Sequence, residues 1–166
     1  MEFETDLKRA FRTTVIVNGT LVASLFIYAL MVELIRSQLR PFSGFLVSGI
    51  SLQTLRYLAF GAAVGAVLLV RLGGRTLLKT RPGEDPHQLI FRLSRAAVIT
   101  SAMGELPAIL GFVLFLLTGL SRDFYALLFV SLFLEFMYFP RLTVWRDIAR
   151  ERLFHKNIGK SFHQKD

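Results

Sequence analysis

The chain has 166 residues, 53% of them hydrophobic and 16 of them Phe, yet it carries 20 Lys and Arg and a net charge of +8. A chain this apolar and this basic excludes an ordinary soluble domain and fits a membrane protein. With no cysteine it has no disulfide, thiolate metal site, iron–sulfur cluster or thioether-linked haem. Its three histidines, His87, His155 and His163, stand in polar connecting or tail segments, so a haem clasped between helices and a histidine proton wire are not expected.

Residues 1–12, MEFETDLKRAFR, place Phe3, Leu7 and Phe11 four residues apart among six charges. That spacing predicts a short amphipathic helix lying in the headgroup region before the chain turns into the bilayer. Residues 13–32 carry no charge and predict a first transmembrane helix over about 13–35. The acids Glu2, Glu4 and Asp6, and the lack of a small-x-small cleavage site, argue against a cleaved signal peptide. Asn18-Gly19-Thr20 has the form of a glycosylation acceptor, but it sits inside this span and is discounted. Residues 41–50 are apolar for a connection and predict an interfacial turn or an early start of the next helix.

Between residues 44 and 70 only Arg56 is charged, and the strictly charge-free part, 57–70, is short for a bilayer. The second span is therefore placed at about 51–71, with Arg56 inside its outer end, where it either snorkels outward or pairs with an acid. Gly61 and Gly65 form a small-xxx-small pattern that suits close helix packing. Residues 71–95 are the main break, with a turn at RPGEDP. The third span, 96–120, is 25 residues long and contains a single charge, Glu105. A charge at mid-membrane depth needs a partner, a water cavity or a proton. A short link at 121–123 leads to the fourth span, 124–141, whose internal charge is Glu135. Beyond it, residues 144–153 alternate apolar and charged groups, again an interfacial helix pattern, and the basic tail 156–166 is expected to be disordered.

The expected fold is thus all-α: one transmembrane domain over residues 1–155, with four helices in two hairpins and an amphipathic helix at each end. The N-terminus, central loop and C-terminal region together hold 16 Lys and Arg, against 4 in the other two connections. The positive-inside rule then puts both termini and the central loop in the cytoplasm, at the inner membrane of a bacterial cell. Anionic headgroups are the expected partner of that basic face, and no nucleic-acid motif accompanies it.

The short link between the last two spans sets residues equidistant from it at one level, which pairs Glu105 with Glu135. Two carboxyls meeting there would hold at least one proton, because desolvation and like-charge repulsion both favour the neutral form. Pro107 removes the hydrogen bond to the carbonyl of Met103 and predicts a helix break within a turn of Glu105. A freed Met103 carbonyl beside a carboxyl is a ready ligand for a hydrated proton or a cation. Thr100 and Ser101, one turn earlier, are expected to hydrogen-bond Glu105, and Pro140 predicts a second break beside Glu135. The candidate ion-binding set is therefore Glu105, Glu135, Arg56, Thr100, Ser101 and Met103.

Residues 58–120 resemble the helical hairpin of the rotor-ring c subunit of F-type and V-type ATPases. The resemblance rests on LAFGAAVGAVLLV with spaced small residues, a basic loop containing Arg81-Pro82, and an outgoing helix with Gly104-Glu105 and Gly111. It covers 63 of the 166 residues. It implies that Glu105 is an ion-binding carboxyl and that Gly61 and Gly65 form an inner packing face; Gly104 and Gly111 are further expected helix-packing positions. The chain departs from that family in its longer loop and in an added helix on each side, one of which carries Glu135.

The expected function is a buried protonatable carboxylate site that binds a proton or cation within an oligomer or larger membrane complex. The alternative is a structural or assembly subunit whose buried acids only hold helices together. No Ser-His, metal or His–Asp constellation points to catalysis, and no cofactor is expected.

Overall fold

A computed structural model describes residues 2–39, 41–45, 51–77 and 86–148. Among the described residues the chain is all-α, with five helices: α1 Glu2–Gln38, α2 Leu52–Leu77, α3 Pro86–Thr118, α4 Ser121–Tyr138 and α5 Leu142–Ile148. Three of them, α1, α2 and α3, are long and apolar enough to cross a membrane, and α4 qualifies only together with α5, from which it is bent by 46°. The outer faces carry exposed Phe26, Ile27 and Leu30 on α1, Leu68 and Leu69 on α2, and Phe129, Phe133 and Phe136 on α4. A belt of this kind is untenable in water and natural against acyl chains, which marks the chain as a membrane protein.

Helix α3 is the hub. Half of its apolar window (50%) is buried, against 17% in α1 and 22% in α2, because α3 packs against α1, α2 and α4 at once. The α1–α3 contacts advance together along both helices, from Thr14–Ser94 to Tyr28–Glu105, so these two run parallel. Helix α4 returns antiparallel to α3, with Ser101 opposite Glu135 and Ala108 opposite Ser131. Gly111 fits directly under Leu127 and Phe124, where a Cβ would come within 2.9 Å of the Leu127 Cβ. The principal apolar core lies around this contact: Leu25 and Val32 of α1, Ala108 and Phe115 of α3, and Phe124 and Leu128 of α4.

Several elements differ from the expectations of the sequence. The N-terminal segment does not turn at the membrane surface but continues straight into α1, because its apolar face has a protein partner. Leu7 is buried with Leu89, Ile90 and Leu93 of α3 and Trp145 of α5, and Phe11 meets Trp145 edge-to-face at 5.4 Å. Most of the expected break at 71–95 is helical, as α2 runs on to Leu77 and α3 begins at Pro86, ten residues before the expected span. Proline suits a first helical turn, where its missing N–H has no intrahelical acceptor. His87 accordingly stands in a helix, not in a loop. The RPGEDP turn falls largely, and the tail 156–166 wholly, outside the described residues.

The first connection is partly described. Residues 41–45 are not helical, and they lie along the end of α3, with the Phe45 N–H donating to the Leu116 carbonyl at 2.9 Å. Gly119 ends α3 with φ +74, its N–H bonded to the Phe115 carbonyl, and a Cβ there would approach the Phe42 carbonyl to 2.6 Å. Glycine alone meets both demands, the left-handed cap and the close passage of another strand of backbone.

Candidate functional site

Two carboxyls stand inside the bundle at adjacent levels of α3. Glu105 is 7% exposed and Glu135 is 2% exposed. They take different hydrogen-bond partners. Glu105 turns toward α1, where its Oε1 lies within hydrogen-bond reach of the Ser24 hydroxyl and accepts from the Tyr28 hydroxyl at 2.9 Å. Glu135 turns toward α3, where its Oε2 accepts from the Ser101 hydroxyl at 2.7 Å and its Oε1 sits over Gly104. The cause is rotational: Gly104 faces α4, and the next residue is turned about 100° round the helix, toward α1.

Gly104 makes room for the second acid. A Cβ at this position would lie 3.1 Å from Glu135 Oε1. That oxygen is buried without a hydrogen-bond partner, as are both side-chain polar atoms of Asn18, a residue with 0% exposure on α1. Asn18 stands one helical turn beyond Thr14, whose hydroxyl contacts Ser94 at 2.6 Å. Thr14, Ser24 and Tyr28 face the stretch of α3 that carries Ser94 and Glu105. Buried polar atoms without protein partners are rare in folded proteins.

Ser24 Oγ lies 2.6 Å from the Leu21 carbonyl oxygen as well as against Glu105. The one serine proton lies between two acceptors, the arrangement of a three-centre hydrogen bond.

The remaining expected site residues are distributed differently. Ser101 bonds Glu135 and not Glu105. Thr100 is buried and borders a cavity on the other side of α3. Arg56 joins neither acid of the cluster: its Nε lies 2.8 Å from Asp123 Oδ2, at the opposite end of the hairpin. Met103 is half-buried on α3, but Pro107 does not break that helix, which runs without interruption from Pro86 to Thr118. Pro107 instead sits fully buried beside the Ser131 contact, where the Ala108 N–H donates to Ser131 Oγ at 2.8 Å. Pro140 does coincide with a break, between α4 and α5. Gly104 and Gly111 lie at close helix contacts, whereas Gly61 and Gly65 face open space, with nothing within 4 Å of an added Cβ. Helix α2 buries Ala59, Ala63, Ala66 and Val70 in their place.

Ser24, Tyr28 and Ser131 do not stand out in the sequence, and Asn18 does so only as a discounted glycosylation match. A signal existed, since Ser24 and Tyr28 are four residues apart and share a helix face, as do Ser131 and Glu135. The fold and the cluster together define a helical membrane protein with a carboxyl pair in its core. No protein-family model matches the chain, and neither a curated protein nor a solved structure is similar to it.

Proposed function

We propose that this is a four-span protein of the bacterial inner membrane, both termini cytoplasmic, whose α1–α3–α4 core binds a proton reversibly at Glu105 and Glu135. It works as part of an oligomer or larger membrane complex. The observation that carries this reading is the burial of two carboxyls, Glu105 and Glu135, in one helical core, neither of them in an ion pair among the described residues. The unpartnered Glu135 Oε1 and Asn18 amide supply further positions for a proton, a water or a small cation.

The test is infrared spectroscopy of the purified protein in lipid, following the carbonyl stretch of protonated carboxyl groups between low and high pH. A band that titrates and is lost in Glu105→Gln supports the proton site, as does carbodiimide labelling that this variant loses. A parent and variant with the same spectrum and labelling overturn it.

A structural reading is favoured by one feature, that each acid is held by hydroxyls of a neighbouring helix. On that reading Glu105→Gln keeps the hydrogen bonds and thermal stability in detergent, while Glu105→Leu loosens the bundle and no titrating band exists in the parent.

A further inference from the structure

At the end of the bundle away from the Arg56–Asp123 pair lies a cavity of about 840 Å³, formed between α2, α3, α4 and α5. Its walls are apolar, with Leu93 and Ala97 from α3, Phe133 and Met137 from α4 and Trp145 from α5, and Arg71 and Arg141 border it. Phe133 and Met137 are exposed on the outer face of α4, so the wall they form opens sideways, where acyl chains run. The volume is within the range of about 300–1,000 Å³ usual for ligand pockets.

The two arginines stand at one membrane boundary. Arg71 comes 15 residues after Arg56 on α2, and Arg141 comes 18 residues after Asp123, beyond the end of α4. At ~1.5 Å per residue both are roughly 22–27 Å from the ion pair at the opposite end, close to the ~30 Å thickness of the hydrocarbon layer. Both are exposed, and neither takes part in an ion pair among the described residues. An apolar cavity open to the bilayer, with two exposed guanidinium groups at headgroup depth, is complementary to an amphiphile with a negative head. A soluble anion would leave the apolar wall unfilled, and a zwitterionic head would bring a second cation against the arginines.

We propose that this cavity is a binding site for one anionic glycerophospholipid, its phosphate between Arg71 and Arg141 and an acyl chain along the α3–α4 wall toward Trp145. The site is separate from the carboxyl cluster and does not depend on the proton-binding reading.

Trp145 is the one tryptophan of the chain and lines the cavity, so it reports occupancy directly. The full-length protein is placed in phosphatidylcholine nanodiscs containing increasing fractions of brominated phosphatidylglycerol or brominated phosphatidylcholine. Trp145 fluorescence should be half-quenched at a several-fold lower fraction of the anionic lipid. Arg71→Gln and Arg141→Gln should each weaken that preference about fivefold, as expected for one cation near an anionic head, and the double variant should lose it. Ala97→Leu, which fills the cavity and keeps both charges, should lose the preference as well. Equal quenching by the two lipids in the parent, or an undiminished preference in the double arginine variant, overturns the proposal. Inorganic phosphate should leave the quenching unchanged; if it abolishes the preference, the arginines form a phosphate site and the lipid assignment fails.

Discussion

Arg56, near the start of α2, grips Asp123 in the first turn of α4 through both carboxylate oxygens, with Nε 2.8 Å from Oδ2 and Nη2 donating to Oδ1 at 2.9 Å. Asp123 is 4% exposed, while the arginine remains about half exposed. The pair ties α2 to the end of the α3–α4 hairpin and sets the level at which α2 packs. It also accounts for a cation near the end of an apolar span without any role in the carboxyl cluster.

Breaking this pair from the arginine side leaves a buried carboxylate alone. Arg56→Ala should lower stability in detergent by about 2 kcal/mol, between the values for exposed and fully buried pairs. Adding Asp123→Asn should recover part of that loss. Denaturant unfolding of both variants measures it, and equal losses in the single and double variants would contradict the assignment.

Packing of the hairpin makes opposite demands on two glycines. Gly111→Ala puts a methyl group 2.9 Å from the Leu127 Cβ and 3.3 Å from the Phe124 backbone, so it should cost about 1–3 kcal/mol. Gly61→Ala meets open space and should leave the monomer as stable as the parent. Thermal unfolding of the two variants side by side checks the contrast.

Ser131 accepts a hydrogen bond from the backbone beside Pro107. Ser131→Ala removes the acceptor of the Ala108 N–H in a fully buried setting, with an expected loss of about 1–3 kcal/mol. Ser131→Thr, which keeps the hydroxyl, should lose less. Hydrogen exchange at the Ala108 amide should accelerate in the alanine variant and stay near the parent rate in the threonine variant.

Leu7 distinguishes a helix end packed on protein from one resting on lipid. It is 2% exposed among Leu89, Leu93 and Trp145, so Leu7→Ala should cost about 2–5 kcal/mol and change Trp145 fluorescence. A lipid-facing Leu7 would give neither effect.

The charge-free runs, the isolation of Glu105 and Glu135 and the level at which their helices oppose one another are legible in the sequence alone. A charge in hydrocarbon is costly wherever the helix later packs, and a short link leaves an antiparallel hairpin little freedom along its axis. The pairing of Ala108 with Ser131 and of Gly104 with Glu135 lies within one residue of the level so expected. Rotation about each helix axis was not legible. Helices α3 and α4 are apolar almost all round, so no polar face announces the inside. Only the close approach of Gly104 and Gly111 to α4, with Leu25 and Val32 of α1 packed into the same core, decides that Glu105 looks to Ser24 and Tyr28 while Glu135 looks to Ser101. The same holds for Arg56, whose choice of Asp123 over Glu105 and Glu135 depends on where α2 docks. Composition determines that the chain belongs in a bilayer and which residues are expensive there. Tertiary packing determines which neighbours meet that expense, because partners come from helices far apart in sequence and are selected by steric fit.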